Sequence, residues 1–425
     1  MTILILGSGG REHALASALA KNPKITKIYA IPGNGGMASF CACEPSLKAT
    51  QLQEIRDFAL AHGVDFAVPA ADDPLVAGAV DVLEEAGIPC FGPNRAAAQI
   101  EGSKVFAKDL MKKYNIPTAE YEVFDNAGDA LAYLDAYEAY PVVIKAEGLA
   151  LGKGVIIAEN REDAKAAARE MMEDKKFGAS GDRIVIEEFL TGPEVSVLSF
   201  CDGKAVVPMI SSMDHKRALD GDRGLNTGGM GVVAPNPCYT PEIAAYCMEH
   251  IFQPTVDAMR AEGAPFKGCL YFGLMLASNG PRVIEYNCRF GDPEAQPVLQ
   301  LLDTDLFDIM LACREERLAE MDIQWKDAHA CCVILASGGY PEKYGTGYPI
   351  AFGDTGDAVI HHAGTKLLAD GSVVTAGGRV LGATALGDSL REAIDAAYAS
   401  VKNITFKNCF YREDIGQKAL RMKGG

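Results

Sequence analysis

Short apolar runs alternate with stretches of helical periodicity through the first 100 residues. The runs predict buried strands, and the periodic stretches predict amphipathic helices. Strands separated by helices indicate a parallel sheet, so we predict the α/β fold class with an N-terminal parallel α/β domain at residues 1–101. The predicted strands are 2–6, 27–31, 65–69 and 88–91, and the predicted helices run from the glycine turn after the first strand to residue 20, over 51–61 and over 74–86.

The pattern changes after residue 101, where strands and helices become less regular in their alternation. We predict a central domain at 102–328, with a smaller inserted subdomain at about 118–192. Asp202-Gly203 between two apolar runs is typical of a hairpin turn. Predicted elements are helices 104–114, 126–138 and 241–262, strands 141–145, 155–158, 183–190, 194–201, 204–212, 269–278 and 281–285, and a long polar loop over 213–231.

A small α+β domain is predicted at 329–425. Its strands are expected at 329–336, 358–363 and 373–376, and its helix at 388–402. His361 and His362 fall on one of these strands, where we interpret them as strand residues rather than metal ligands.

Composition excludes several classes of partner. The formal net charge is −17 and the pI is about 4.9, and no run of five basic residues occurs, so neither nucleic acid nor an anionic membrane is expected as a partner. No apolar stretch approaches the ~18 residues of a membrane span. The 12 cysteines show no C-x-x-C pair, and no signal peptide is recognised, so we expect reduced thiols and a cytoplasmic location.

The chemistry is predicted to centre on the strand that ends near residue 287. Glu285, Asn287 and Arg289 alternate and therefore point to one side. Oxygen ligands such as Glu285 and Asn287 suit Mg²⁺, and an arginine beside them suits an anionic substrate. Acidic residues continue at Asp292-Pro293-Glu294. An edge strand with a polar solvent face remains the alternative.

Glycine turns and lysines predict phosphate sites. Gly9, Gly10 and Arg11 stand between the first strand and a helix N-terminus, a position that favours anions. Glu12 occupies the third glycine position of a dinucleotide motif, which argues against that fold. Lys104 begins a helix, and Lys145 ends an apolar strand before a turn containing Gly148, Gly152, Lys153 and Gly154. The alternatives are a tight packing turn, a surface lysine and a plain hairpin.

The polar loop suits a small zwitterion such as an amino acid. Asp214 and Lys216 lie at its start, and Asn226, Thr227 and Gly228 near its end. A loop of this length within a compact domain is functional or disordered, and the mixture of charges and glycines favours a function.

These segments together resemble the phosphoribosylamine–glycine ligase family of the ATP-grasp superfamily. The specific match is Arg-Phe-Gly-Asp-Pro-Glu-Ala-Gln at 289–296, supported by the Asp214 and Asn226 segments. The resemblance implies an ATP-grasp fold and a ligase that uses ATP and Mg²⁺ (or Mn²⁺) to join glycine to 5-phosphoribosylamine through glycyl phosphate, in purine synthesis. Its substrates would be the only partners, and we expect a monomer.

The resemblance also implies roles for individual residues. Arg289, Lys145 and Asp214 would be catalytic, and Glu285 and Asn287 would bind the metal. The nucleotide would lie against Glu187, Glu188, Phe189, Leu190 and Glu194, with Lys104, Lys145, Gly148, Gly152, Lys153 and Gly154 at its phosphates. The other substrates would contact Gly9, Gly10, Arg11, Asp214, Lys216, Asn226, Thr227, Gly228, Arg289, Asp292, Pro293, Glu294 and Arg379.

Two segments depart from the family pattern. Pro69-Ala-Ala-Asp-Asp-Pro differs from the usual form, which leaves Ala71 and Asp72 without a role, and the strand at Tyr271 lacks an acid that many ATP-grasp enzymes use for metal. Two rival hypotheses remain: another ATP-grasp carboxylate ligase, such as a formate-using or carboxylating purine enzyme, and a nucleotide-binding module without catalysis.

Overall fold

The computed structural model describes residues 1–149 and 154–422. Its N-terminal part is a four-stranded parallel sheet with order β3-β2-β1-β4, flanked by helices. Continuous apolar strands such as residues 3–6 are fully buried, as both faces of a parallel sheet are covered. The elements are β1 Thr2–Gly7, α1 Gly10–Leu19, β2 Lys27–Pro32, β3 Ala42–Cys43, α2 Leu52–Ala61, β4 Phe66–Pro69, α3 Asp72–Ala77, α4 Ala79–Glu85 and α5 Arg95–Gly102.

The predicted parallel α/β domain is confirmed, with three differences in detail. The single helix expected at 74–86 is wrong, because Gly78 at φ +95° ends α3 and starts α4. The strand expected at 88–91 is reduced to one bridge between Ala67 and Cys90. Helix α5 was not predicted, because it is only eight residues long and its apolar pattern is short. Asn94 caps it, since its side chain accepts a hydrogen bond from the Ala97 amide.

The inserted subdomain is an antiparallel sheet, in the order β5-β8-β6-β7, covered by helices on one side. Its strands are β5 Tyr121–Phe124, β6 Val142–Ala146, β7 Val155–Ala158 and β8 Ile184–Glu188, and its helices are α7 Ala127–Ala136 and α8 Arg161–Met172. Helix α6 Lys104–Lys113 leads into it. Ser103 caps α6 and also donates a hydrogen bond to Glu147 Oε1 (2.9 Å), which ties the end of β6 to the helix start.

A second antiparallel sheet, in the order β10-β9-β15-β16, supports the predicted metal strand. The predicted pairing of the strand at 269–278 with the metal strand is confirmed, and Tyr271 lies opposite Asn287. The second strand of the predicted hairpin is shorter than expected: it was predicted over 204–212 and covers Val206–Pro208. These elements are β9 Glu194–Asp202, β10 Val206–Pro208, β15 Lys267–Ala277, β16 Gly280–Asn287, α9 Pro241–Cys247, α10 Gln253–Ala261, α11 Ala295–Leu301 and α12 Leu306–Arg314, with a π-helical turn at Met248–Phe252 that interrupts the helix expected at 241–262.

The long polar loop predicted at 213–231 contains strands that its polar composition concealed. β11 Met213–Asp214 and β14 Gly231–Ala234 pair with each other, and between them β12 Arg217–Leu219 and β13 Arg223–Asn226 form a hairpin. We call residues 217–226 the substrate hairpin. Arg412 holds it, because its guanidinium pairs with Asp222 (3.0 Å) and donates to the Arg217 carbonyl (3.0 Å).

The C-terminal sheet is shared with the central part of the chain. Its main path runs β11-β14-β17-β22-β19, so β14, from before residue 235, pairs with β17, from after residue 328, and β11 pairs with β14 at the edge of the same sheet. Domain edges in sequence and in space therefore differ here. The remaining elements are β17 His329–Ser337, β18 Ala351–Phe352, β19 Val359–His362, β20 Thr365–Leu367, β21 Val373–Thr375, β22 Arg379–Gly387, α13 Leu390–Val401, β23 Ile404–Thr405, β24 Cys409–Phe410 and α14 Gln417–Met422.

His361 and His362 lie on β19, as predicted. Among the described residues no group of three or more His, Cys, Asp or Glu side chains is arranged to hold a metal ion. The cysteines are all unpaired and mostly buried. Across residues 1–149 and 154–422, helices of the length and hydropathy needed to cross a bilayer are absent.

Candidate active site

One cavity of about 490 Å³ lies where the inserted subdomain, the central sheet and the substrate hairpin meet. Side chains from distant parts of the sequence line it, including Lys104, Lys145, Asp214, Glu285 and Arg289. The predicted residues that line it are Lys104, Lys145, Gly154, Glu187, Glu188, Phe189, Leu190, Glu194, Asp214, Lys216, Asn226, Thr227, Gly228, Glu285, Asn287, Arg289, Asp292 and Glu294.

Other predicted residues lie beside the cavity or outside the described part of the chain. Gly152 and Lys153 fall in the gap between residues 149 and 154. Gly148 contacts the cavity wall through its carbonyl, which accepts a hydrogen bond from Lys104 Nζ (3.0 Å). The residues that flank the cavity without being part of its lining are Gly9, Gly10, Arg11, Pro293 and Arg379.

Two buried lysines share one carboxylate at the cavity wall. Lys145 Nζ donates to Glu187 Oε2 (2.9 Å) and to the Ile284 carbonyl (3.0 Å). Lys108 Nζ lies 3.1 Å from the same oxygen and donates to Thr118 Oγ1 (2.8 Å). Burial lowers the pKa of Lys108 to about 8. Two cations facing one anion leave a net positive charge, which suits phosphate groups.

Lys108 was missed by the sequence reasoning. It stands one helical turn after Lys104 on α6, so both side chains lie on the face turned to the cavity. Burial also lowers the pKa of Lys104, although Glu285 opposes that shift. The spacing Lys104-x-x-x-Lys108 was a usable signal, because a second buried lysine at i+4 needs an anion as much as the first.

Part of the cavity lining is apolar. Beside it, Glu187 Oε2 accepts a hydrogen bond from Lys145, and Glu187 Oε1 is buried without a hydrogen-bond partner. Glu188 Oε1 accepts a hydrogen bond from the Glu120 amide (3.0 Å). We call the apolar part of the lining the apolar slot. Its residues are Met111, Val143, Val155, Ile157, Phe189, Leu190 and Met275.

Glu285 and Asn287 lie on β16 and face the cavity, as the alternation predicted. Burial alone raises the pKa of the Glu285 carboxyl, but Lys216, Lys145 and Lys104 outweigh it and the pKa is lowered. Asn287 donates its amide nitrogen to the Tyr286 carbonyl (2.8 Å), which leaves Oδ1 as its remaining acceptor. An ionised carboxylate and an oriented amide oxygen are a suitable donor pair for Mg²⁺ completed by phosphates and water.

Arg289 lies just past the end of β16 and remains charged. Its NH2 lies 3.1 Å from Glu101 Oε1, while its buried Nε has no hydrogen-bond partner. Burial lowers the pKa of Arg289, but Glu101 and Asp72 outweigh it and the pKa is raised. The unpaired N–H indicates that this guanidinium has bonding capacity left for a substrate anion. Glu101 and Asp72 were not assigned from the sequence.

Lys216 bridges two carboxylates that were predicted to act separately. Its Nζ lies 3.4 Å from Glu194 Oε2 and 3.5 Å from Glu285 Oε1. Burial lowers its pKa, but these two partners outweigh the burial and the pKa is raised well above its ordinary value. Lys216 therefore remains an ammonium group held between Glu194 and Glu285.

Gly229 permits a close approach between Asp214 and residues 289–296, which we call the signature segment. A Cβ on this residue would lie 2.5 Å from Pro293 Cδ and 2.6 Å from Asp214 Oδ1, and its φ of +113° is unfavourable for other residues. Arg379 holds the same region, since its NH1 donates to the Gly228 and Asp292 carbonyls (both 2.7 Å) and its NH2 lies 3.0 Å from Asp292 Oδ2. Its contacts are thus with protein groups.

Gly229→Ala is expected to raise the KM for the substrate bound near Asp214 at least tenfold, because the methyl group would push Asp214 and Pro293 apart. We also expect the free energy of unfolding to fall by about 1–3 kcal/mol, because alanine is strained at this φ. Steady-state kinetics and thermal unfolding measure the two effects. The matched control is Gly221→Ala, at φ +69° on the tip of the substrate hairpin with only Arg223 Nε near (3.7 Å). Equal KM changes in both variants would contradict the contact.

The N-terminal glycine turn abuts the signature segment rather than the cavity itself. A Cβ on Gly9 would lie 3.0 Å from Asp292 Oδ2, and one on Gly10 would lie 2.2 Å from Gln296 Nε2. The Gly9 amide already donates to Glu12 Oε2 (2.6 Å), so this N–H is not free as the helix-start argument supposed. Arg11 is buried and donates to the Phe290 carbonyl (3.1 Å).

Comparisons with known proteins extend these findings. Models of the phosphoribosylglycinamide synthetase family match three consecutive segments: the N domain at 1–101, the ATP-grasp (A) domain at 102–295 and the C domain at 330–418. A phosphoribosylamine–glycine ligase of Clostridium acetobutylicum is 46% identical over 98% of this chain and 100% of its own length. One from Escherichia coli is 47% identical over 99% of each chain.

Solved structures agree. The crystal structure of a phosphoribosylamine–glycine ligase from Thermotoga maritima superimposes with a TM-score of 0.86 at 33% identity, over 98% of this chain and 100% of that one. A biotin carboxylase domain from Hydrogenobacter thermophilus, solved with MgADP and bicarbonate, matches with a TM-score of 0.76 at 15% identity, over 99% of this chain and 93% of that one. The second likeness concerns the ATP-grasp fold alone.

Proposed function

The chain belongs to the phosphoribosylglycinamide synthetase family, and from this premise we propose how its residues perform the family's reaction. The enzyme is an ATP-dependent ligase of purine biosynthesis that joins glycine to 5-phosphoribosylamine. The products are glycinamide ribonucleotide, ADP and phosphate. A free carboxylate is a poor acyl donor, so the γ-phosphoryl group of ATP first passes to glycine and forms glycyl phosphate, which the amine then attacks.

ATP is proposed to span the cavity from the apolar slot to the lysines. The adenine ring would lie against Phe189 and Leu190, near Glu187 and Glu188, with its ribose towards Glu194. Lys104 and Lys145 would contact the phosphates, and Lys108 adds positive charge behind them. Gly148 and Gly154 are proposed to lie near the phosphates, and Gly152 and Lys153, which fall outside the described residues, are proposed phosphate contacts on the family resemblance alone. Fixed positive charge at the transferring group supplies most of the catalysis of phosphoryl transfer.

Glycine is proposed to bind between Arg289 and Asp214. Arg289 offers an unpaired N–H to the carboxylate, and Asp214 offers a buried, unpartnered Oδ1 to the ammonium group. Lys216, Asn226, Thr227 and Gly228 complete this end of the site. Arg289, Lys145 and Asp214 are thus the proposed catalytic residues, because each would touch glycine or the transferred group.

5-Phosphoribosylamine is proposed to bind beside the contact between the N-terminal glycine turn and the signature segment, which pack directly on each other. Gly9, Gly10 and Arg11 would contact it from the glycine turn, and Asp292, Pro293 and Glu294 from the signature segment. Arg379 is proposed to serve the substrate phosphate, which requires it to exchange a contact with Asp292. The proposed domain division remains 1–101, 102–328 with a lid at about 118–192, and 329–425.

Glu285 and Asn287 are the proposed ligands of Mg²⁺, with Mn²⁺ as an alternative ion. The bound ion supplies positive charge to the phosphate oxygens of ATP. We also propose a cytoplasmic monomer, which sedimentation at micromolar concentration tests.

The observation that carries the proposal is the union, in one cavity, of the lysine-lined wall with the family's 289–296 signature segment. We expect ADP release from Mg·ATP to require both glycine and 5-phosphoribosylamine. The assay measures ADP with each substrate omitted in turn. Release that ignores glycine would point to another carboxylate substrate, and binding of ATP without any release would point to a module without catalysis.

A further inference from the structure

Most carboxylates around the cavity are committed to cations. Glu101 pairs with Arg289, Glu187 with Lys145 and Lys108, and Asp292 with Arg379. Glu194 and Glu285 share Lys216, and Asp222 pairs with Arg412. Each of these carboxylates would have to give up a contact with its cation before it could accept a proton.

Four lining carboxylates have no ion pair within 4.0 Å among the described residues. Glu188 accepts a hydrogen bond from the Glu120 amide (3.0 Å). Burial raises the pKa of Asp72, but Arg289 and Arg11 outweigh it and the pKa is lowered.

Glu294 and Asp214 are the other two carboxylates. Neither has an ion pair within 4.0 Å among the described residues, although Lys216 influences both. Glu294 is 4% exposed, and its Oε1 accepts a long hydrogen bond from Ser196 Oγ (3.4 Å), which in turn contacts the Tyr271 hydroxyl (2.9 Å). Asp214 Oδ1 is buried and has no hydrogen-bond partner.

Both carboxylates line the cavity, and Asp214 lies beside Gly229. Burial raises the pKa of Glu294, and burial together with Glu294 raises the pKa of Asp214 well above its ordinary value. Repulsion between two such carboxylates favours a proton on one of them. The charged or titratable groups that face Glu294 are Asp214, Lys216, Tyr271, Arg289, Asp292 and Arg379.

Histidine offers no competing base here. His215 is the one histidine that lines the cavity within the described residues, and both of its ring nitrogens are occupied. Nδ1 contacts the Gly231 carbonyl (3.1 Å), and Nε2 accepts a hydrogen bond from the Gly416 amide (3.2 Å). Lys145 and Lys104 donate hydrogen bonds to Glu187 or to backbone carbonyls.

We propose that Glu294 is the proton acceptor for the second half of the reaction. This inference rests on the function proposed above. The ammonium group of glycine would lie beside Asp214, where its charge favours the anionic form of both carboxylates, so that a proton held between them passes to solvent and Glu294 is ionised. The nitrogen lone pair of 5-phosphoribosylamine then attacks the carbonyl carbon of glycyl phosphate. A C–N bond forms, and the bond between the carbonyl carbon and the bridging phosphate oxygen breaks. Its electron pair leaves with inorganic phosphate, and one proton moves from nitrogen to Glu294.

Glu294→Gln separates the two half-reactions. Hydroxylamine attacks acyl phosphates in free solution, so glycine-dependent hydroxamate formation reports glycyl phosphate without needing a protein base. We expect the variant to keep hydroxamate formation within threefold of wild type and to lose at least ~100-fold in ligation of 5-phosphoribosylamine. The wild-type ligation rate should fall as pH drops through the raised pKa of Glu294, and this acidic limb should be absent from the variant's residual rate.

The other outcomes contradict either the role of Glu294 or the function proposed above. Ligation near the wild-type rate, or an unchanged acidic limb, overturns the proposal for Glu294. Equal losses of hydroxamate formation and ligation also overturn it, because the residue would then serve phosphoryl transfer or folding. Glu294→Asp, which keeps the carboxylate but withdraws it by one methylene, should recover part of the ligation rate; no recovery would contradict a proton-accepting role. Absence of hydroxamate in wild type would instead contradict the function proposed above.

Discussion

Lys145→Met is expected to lower kcat by on the order of 10³-fold, with the fold retained. Methionine fills a similar volume but removes the cation proposed to contact the transferred phosphoryl group. Glu187 keeps Lys108 at 3.1 Å, so the buried carboxylate is not left without a partner. The free energy of unfolding should therefore fall by no more than about 1–3 kcal/mol. The measurement is kcat for ADP release with saturating ATP and glycine, together with an unfolding curve.

Lys108→Met is the matched control, because it removes the other lysine from the same oxygen of Glu187 at equal burial. Lys108 also donates to Thr118 and lies behind Lys145 on α6. We expect its loss to reduce kcat far less, by about tenfold. Equal losses in the two variants would mean that both lysines act only by neutralising Glu187, and the assignment of Lys145 to the phosphoryl group would be wrong.

Glu285→Gln is the second variant with a large expected effect. The substitution keeps shape and one oxygen but removes the charge of the proposed metal ligand, so kcat should fall by ~10²–10³-fold and the Mg²⁺ concentration needed for half-maximal activity should rise at least tenfold. Titration of activity and of ATP binding with Mg²⁺ measures both. Since Glu285 is about one-third exposed, at 35%, little loss of stability is expected.

Glu194→Gln controls for the shared lysine. Glu194 and Glu285 lie 3.4 and 3.5 Å from the same Lys216 Nζ, so both variants release one contact of that ammonium group. Only Glu285 is proposed to bind metal. The Glu194 variant should raise the KM for ATP and leave the Mg²⁺ dependence unchanged; a parallel shift in Mg²⁺ dependence would assign the effect to Lys216 instead.

Strong periodicity explains where the sequence predicted the fold well. The buried strand at 2–6, the metal strand and the helix at 390–401 have apolar patterns that local chain geometry alone determines. The polar hairpin at 217–226 was concealed because its strands pair with each other on the surface and show no apolar alternation. Helix splits at Gly78 and at the π turn depend on packing that a one-dimensional pattern does not encode.

The candidate site was predictable where chemistry and spacing coincide. Glu285, Asn287 and Arg289 alternate on one strand, and the structure does bring them to one cavity. Glu101 and Asp72 were not assigned, because their importance depends on Arg289, which is far away in sequence, and such long-range charge pairs have no local signature. Lys108 did have a local signal, its spacing from Lys104, although its partner Glu187 is also distant. The roles that the resemblance implied for Glu187 and Arg379 stay predictions.

Exchange of segments between ligases is constrained by the sheet that joins β14 to β17. A chain cut before His329 would leave β14 with unpaired backbone groups along one edge, and such an edge promotes association with other chains. The C-terminal segment is therefore not a portable module. The four strands of the inserted subdomain pair only with one another, but its Lys145 donates to the Ile284 carbonyl and its Glu187 pairs with Lys108, so an exchange of this subdomain must preserve both contacts to keep the lysine-lined wall.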